Sequence, residues 1–285
     1  MSSSQTMLNA IHVRNVHKTF GSTKALSDIN MRIAPGEMVS LIGPSGAGKS
    51  TLLKHFSGVM LSDSSDRHKG QQSDVTILGH TVQRNGDVNV KIRKIRSHIG
   101  YIFQQFNLVG RLRLITNVLI GALSRTPTWR SIIRSFPYTE QKKAMQALHR
   151  VGMAKYAHQR AKTLSGGQQQ RAAIARALTQ EARIIIADEP IASLDPESAR
   201  RVMQLLTDIN TQDKVTVLVS LHQVDFAMRF CQRCIGMKDG QIVYAGPTSG
   251  LTQDILQDIY GHEFVHSGFG RNQDQVWADS AQAAC

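Results

Sequence analysis

Apolar residues along this chain gather in short blocks, and the spacing inside each block changes from one block to the next. Ile11 and Val13 alternate with polar neighbours, as do Ile29, Met31 and Ile33. Period two predicts strands of a small antiparallel sheet. Phe20-Gly21 and Pro35-Gly36 read as the turns that follow them. Met38 to Ile42, Ile99 to Phe103, Arg183 to Ala187 and Val215 to Ser220 are instead apolar on both sides of the pleat. That pattern suits strands covered on two faces, the α/β arrangement. Val75 to Leu78 is a further short strand, and Cys234 to Met237 and Gln241 to Ala245 flank a Lys238-Asp239-Gly240 turn. Helices are expected over Ser50–Phe56, in the basic run Lys91–Arg96 after the Asn85-Gly86-Asp87 turn, over Gln169–Leu178 and over Pro196–Ile209. Val118 to Val151 is helical in character but carries Pro127 and Pro137, which divide it into short helices forming a separate lobe. Ser62 to Ser73 has no periodicity and reads as a surface loop, and the stretch from about Ser267 as a loose polar tail.

The strand at Met38–Ile42 and the helix at Ser50–Phe56 enclose Gly43-Pro44-Ser45-Gly46-Ala47-Gly48-Lys49-Ser50-Thr51. This is G-x-x-x-x-G-K-[ST] in the strand–loop–helix setting that the phosphate-binding loop requires. Glycines let the backbone close around an anion, so that successive N–H groups and the helix N-terminus converge on phosphate oxygens. Lys49 then brings a positive charge to the β- and γ-phosphates, and Ser50 a hydroxyl for Mg²⁺. The strand Ile184-Ile185-Ile186-Ala187 delivers Asp188 and Glu189 at its C-terminal end, where nucleotides bind in such sheets. Asp188 suits the metal, and Glu189 is placed to orient or deprotonate an attacking water. A second anion-binding device is Leu164-Ser165-Gly166-Gly167-Gln168, a hydroxyl and two unhindered glycine N–H groups at a helix start. Two such devices in one chain suggest that each half of a dimer completes the other's site.

Composition narrows the partners. Lys and Arg number 34 against 21 Asp and Glu, a net charge of +13. Nucleotides, an anionic membrane surface and nucleic acid all attract such a chain. No recognition helix or RNA-binding signature supports nucleic acid. No run approaches the ~18 apolar residues of a membrane span, and the N-terminal MSSSQTMLNA lacks a signal-peptide pattern. Three cysteines, Cys231, Cys234 and Cys285, make no disulfide framework, which fits a reducing cytosol. The C-x-x-C spacing of the first two has no second pair and no thioredoxin-like pattern beside it, so buried thiols are expected.

These motifs together resemble those of the ATP-binding cassette (ABC) ATPases, over roughly Met7 to Tyr260. The resemblance implies a P-loop NTPase (RecA-like) core with an antiparallel β subdomain and a helical subdomain. It spans residues 7–262, with the helical lobe at about 105–180 and a tail at 263–285. It also implies roles. Ser165, Gly166, Gly167 and Gln168 would cap the γ-phosphate held by the opposite subunit, with Asp195 of the Ser193-Leu194-Asp195 loop at the same interface. Asp195 before Pro196 is also a good helix N-cap by itself. Gln104 matches the glutamine that senses Mg²⁺ and links core to lobe, and His222 the switch histidine on the γ-phosphate. Phe20 matches the aromatic that stacks on adenine. ATP and Mg²⁺ are the implied ligands.

Within the family, several stretches resemble the ATP-binding subunits of phosphonate importers. They are Gly100-Tyr101-Ile102-Phe103-Gln104-Gln105-Phe106-Asn107-Leu108-Val109, Asn117 to Ala122, Thr126-Pro127-Thr128-Trp129-Arg130, Gln168 to Arg171, and Ile191 to Arg200. That likeness implies a homodimer at the cytoplasmic face of a bacterial inner membrane. It would work on permease subunits and, through them, with a periplasmic phosphonate-binding protein. An importer of phosphate or another small anion, and a soluble ABC ATPase acting outside transport, are the alternatives.

Overall fold

A computed structural model describes residues 9–64, 72–132 and 135–261. The chain opens with a long hairpin, β1 (Ile11–Phe20) and β2 (Thr23–Ile33), and then enters β3 (Met38–Ile42) and α1 (Lys49–Phe56). β4 (Asp74–Ile77), β5 (His80–Arg84), β6 (Asp87–Val88), α2 (Ile92–Arg96) and β7 (Ile99–Ile102) follow. The helices α3 (Leu114–Leu119), α4 (Thr128–Ile132), α5 (Tyr138–Arg150) and α6 (Gly166–Thr179) all fall between β7 and β8 (Ile184–Ala187). The remainder is α7 (Pro196–Asp213), β9 (Thr216–Leu221), α8 (Val224–Phe230), β10 (Arg233–Lys238), β11 (Gln241–Pro247) and α9 (Gln253–Tyr260).

Two sheets form. The antiparallel one has the order β2-β1-β4-β5-β6, and the other β11-β10-β3-β9-β8-β7, parallel except for the edge strand β11. The expected small antiparallel sheet is five-stranded. β5 escapes the sequence pattern because HTVQR holds one strongly apolar residue, Val82, and buries Gln83 beside it. Gln83 earns that burial by three hydrogen bonds: its amide accepts from Ser62 N and donates to His55 O and Met60 O.

The parallel strands alternate between two cores, as the period of the pleat requires. Ile185, Ala187, Val217, Val219 and Leu221 face α6, α7 and α8. Ile184, Ile186, Leu218, Val39 and Leu41 face α1 and the antiparallel sheet. Both faces are covered, which is why these segments read as unbroken apolar runs. Pro137 immediately precedes α5, and a 3₁₀ segment over 120–124 precedes α4, so the region divides into short helices as its prolines imply. The loop expected over 62–73 lies partly outside the described residues, and the expected tail at 263–285 wholly so. The short helices α8 and α9 are not among the expected elements.

Candidate active site

The C-terminal ends of the parallel strands carry the chemistry. β3 delivers the phosphate loop, and three of its glycines have positive φ: Gly43 (148°), Gly46 (82°) and Gly48 (97°). At Gly43 a Cβ would stand 2.2 Å from the Met237 carbonyl oxygen, and at Gly48 2.5 Å from that of Ala25. The loop is thus clamped between β10 and β2, and only glycine fits at either contact. Lys49 is buried, and its ammonium donates to the Gly43 carbonyl at 2.7 Å and the Pro44 carbonyl at 3.0 Å. The charge is held over the mouth of the loop.

Beside it, five groups form a connected chain. Ser50 Oγ donates to Asp188 Oδ1 at 3.0 Å, and Ser220 Oγ donates to the same oxygen at 2.9 Å. The Glu189 backbone N–H in turn donates to Ser220 Oγ at 2.8 Å. Glu189 Oε1 then meets His222 Nε2 at 2.5 Å. Glu189 adopts φ 48°, the left-handed region, which a non-glycine residue enters at a cost of roughly 1–3 kcal/mol. The turn aims its carboxylate back toward His222 at the end of β9. Tyr101, from the end of β7, has its phenol buried in the same neighbourhood. Burial first, and then the Asp188 carboxylate, push its pKa up and keep it protonated. Ser50 Oγ and Asp188 Oδ1 form an all-oxygen donor pair, the chemistry that a hard cation such as Mg²⁺ requires. Gln104 takes no part in this chain: it stands exposed two residues past the end of β7.

Phe20 ends β1 with its side chain 47% exposed. The ammonium of Lys18 lies 5.6 Å from its ring centroid. The hairpin that carries Phe20 is the one whose Ala25 touches Gly48, so the ring projects from the strand pair that clamps the loop.

Ser165 to Gln168 and Asp195 gather at a different corner. Ser165 caps α6: Gln168 N donates to its Oγ at 3.4 Å, while Gln168 Oε1 accepts from Ser165 N at 2.9 Å. This is a capping box, so α6 begins at Gly166, three residues before the expected Gln169. Asp195 caps α7 by accepting from Ser198 N at 2.9 Å, with Pro196 at the first helical position. That hydrogen bond is the main cause of its lowered pKa. Gly167 is buried, and a Cβ there would lie 2.7 Å from Ser198 Oγ. Its lack of a side chain lets the starts of α6 and α7 pack together, which brings Ser165 and Asp195 to one place. None of these hydrogen bonds joins this corner to the phosphate loop.

Sequence reasoning missed Ser220, Tyr101 and Ser198. Ser220 left a signal, as a polar residue in the apolar strand β9. Tyr101 and Ser198 left none, because their significance depends on which strand and helix ends meet. Cys231 and Cys234 are both buried and unbridged.

Comparison with known proteins agrees with this geometry. The family model for the ABC transporter matches residues 26–192. A phosphonates import ATP-binding protein of Cupriavidus metallidurans is 55% identical over 258 residues, covering 90% of this chain and 89% of that protein. One from Maricaulis maris is 52% identical over 255 residues, covering 90% and 94%. Among solved structures, a dimeric bacterial ABC transporter cassette is 34% identical. It aligns with TM-score 0.72 over 85% of this chain and all of that one. The post-hydrolysis state of a dimeric cassette bound to ADP and Pi aligns at 33% identity with TM-score 0.71, over the same shares. The chain belongs to the ATP-binding cassette family of ABC transporters and has the fold of its ATPases.

Proposed function

We propose that this chain is the ATP-hydrolysing subunit of an importer that carries phosphonates across a bacterial inner membrane, seated on the cytoplasmic face. The names of its relatives, at 52–55% identity over nearly the whole chain, support the substrate class. The observation that carries the chemistry is the connected run Ser50–Asp188–Ser220–Glu189–His222 beside the phosphate loop. The cassette spans 7–262, with its helical lobe at about 105–180.

In this reading the loop Gly43–Thr51 wraps the triphosphate and Lys49 turns from the Gly43 and Pro44 carbonyls onto the phosphates. Phe20 stacks on the adenine. Ser50, Asp188 and Gln104 would hold Mg²⁺. Bound there, Mg²⁺ neutralises charge on the phosphate oxygens. Glu189 accepts a proton from, or orients, the attacking water, and His222 fixes the geometry at the γ-phosphate. Ser165, Gly166, Gly167, Gln168 and Asp195, grouped at their separate corner, reach the nucleotide of a second copy, so the working unit is a homodimer. Closure would pull on permease subunits, which in turn receive phosphonate from a periplasmic binding protein.

Two measurements test this. Glu189→Gln should retain ATP binding and lose turnover by roughly 10²-fold or more; unchanged hydrolysis removes Glu189 from the role of base. Reconstitution with its permease and binding protein should give ATPase activity stimulated by a phosphonate. Stimulation by phosphate or phosphite alone would reassign the substrate, and stimulation by nucleic acid without a permease would place the chain outside transport.

A further inference from the structure

Ser220 belongs to no recognised motif of the site, yet it hydrogen-bonds both acidic residues that follow β8, the carboxylate of Asp188 and the backbone N–H of Glu189. β9 lies between β3 and β8, and its last rung with β8 pairs Val219 with Ala187. Ser220 is therefore set level with the point where β8 ends and Asp188 begins. Within β9 it shares a face with Leu218, whose core cluster includes Leu52 and Leu53 of α1. The hydroxyl thus points to the side of the sheet on which the phosphate loop stands.

Its exposure is 0%, so bulk solvent does not reach it, and protein groups supply both its hydrogen bonds. Their directions are fixed by chemistry. The Glu189 N–H can only donate, so Ser220 Oγ accepts there at 2.8 Å; the Asp188 carboxylate can only accept, so Ser220 donates there at 2.9 Å. One hydroxyl thereby anchors the backbone of a residue in the left-handed region and one oxygen of the neighbouring carboxylate. The other hydroxyl on that oxygen is Ser50's, from the phosphate loop.

We infer that Ser220 is a positioning residue for hydrolysis, setting Asp188 for the metal and Glu189 for the water at once. This deepens the reading of the site given above and rests on it. With Ser220 present, Asp188 keeps one orientation when Ser50 turns to its ligand. Without it, the Asp188 carboxylate and the Glu189 turn each lose their tie to β9.

The test uses the full chain and a matched pair, Ser220→Thr and Ser220→Val. The two add nearly the same volume at this buried position, and only threonine keeps the hydroxyl. Ser220→Ala is the third variant, and Glu189→Gln is measured in parallel. Because a hydrogen bond to a charged group contributes on the order of a 10- to 100-fold difference, Ser220→Val and Ser220→Ala should lose turnover by about that factor. Their half-saturating Mg²⁺ concentration should rise, while ATP binding measured in EDTA and the melting temperature of Ser220→Val stay with those of Ser220→Thr. Ser220→Thr should recover most of the turnover. The inference is overturned if Ser220→Val and Ser220→Thr hydrolyse alike, or if turnover falls only in proportion to Mg²⁺-free ATP binding and thermal stability. Normal hydrolysis by Glu189→Gln would instead strike the assignment of the base. An inactive Glu189→Gln beside a fully active Ser220→Ala would strike only the role of Ser220.

Discussion

His55 ties the stability of the phosphate-loop helix to pH. It lies in α1 one turn below Thr51 with 0% exposure, and its Nδ1–H donates to the Thr51 carbonyl at 2.8 Å. Burial is the main reason its pKa falls to about 4; the Thr51 hydrogen bond opposes this, Lys18 adds to it and Asp63 opposes it weakly. The folded protein thus refuses a proton that the unfolded chain accepts near pH 6.5. Because the folded pKa is the lower one, the contribution of His55 is complete above pH 6.5, declines as pH falls toward 4 and is gone below that. Each pKa unit is worth about 1.4 kcal/mol, so the gap corresponds to roughly 3 kcal/mol, a large share of a typical ~5–15 kcal/mol stability. The assay is denaturant unfolding of the native chain and of His55→Leu at half-unit steps from pH 7.5 to 4. Other groups titrate in both proteins, so the difference curve isolates His55. It should be flat above pH 7 and fall with a slope of about one proton between 6 and 4.5. A difference curve that is level across the whole range, or that rises with acid, would refute the reasoning.

Two further outcomes follow from packing. Gly121 lies against α6, where an added Cβ would stand 2.3 Å from the Arg176 carbonyl oxygen and 3.0 Å from Gln180 N; Gly121→Ala should lower the unfolding free energy by about 1–3 kcal/mol in denaturant titration. Burial pushes the Cys231 thiol up to about 12 and that of Cys234 up to about 11. In a Cys285→Ser background, a thiol-specific reagent at pH 8 should therefore label neither until denaturant is added, and rapid labelling of the native protein would contradict the burial.

Much of the fold was written in local pattern. Met38–Ile42 and Val215–Ser220 announce buried strands because both faces of the parallel sheet are covered; β3 has the expected bounds and β9 is displaced by one residue, to Thr216–Leu221. Asp195-Pro196 and Ser165 announce helix starts because a cap needs only its own next three residues. β5 was not legible, because its hydrophobic content is a single valine and its buried glutamine is satisfied by Ser62, His55 and Met60, far away in sequence. The exposed position of Gln104 could not be read either, since the motif gives a residue type and not where the chain carries it.

The run Gly43–Thr51, the Asp188–Glu189 pair and the run Leu164–Gln168 are legible from sequence alone, because each is a contiguous stretch of characteristic residue types. What tertiary structure decided is how they meet. The 2.9 Å link from Ser220 to Asp188, the 2.5 Å meeting of Glu189 with His222, and the close fit of Gly167 on Ser198 join residues more than 30 positions apart. Such contacts depend on strand order and helix packing, and no local periodicity encodes them.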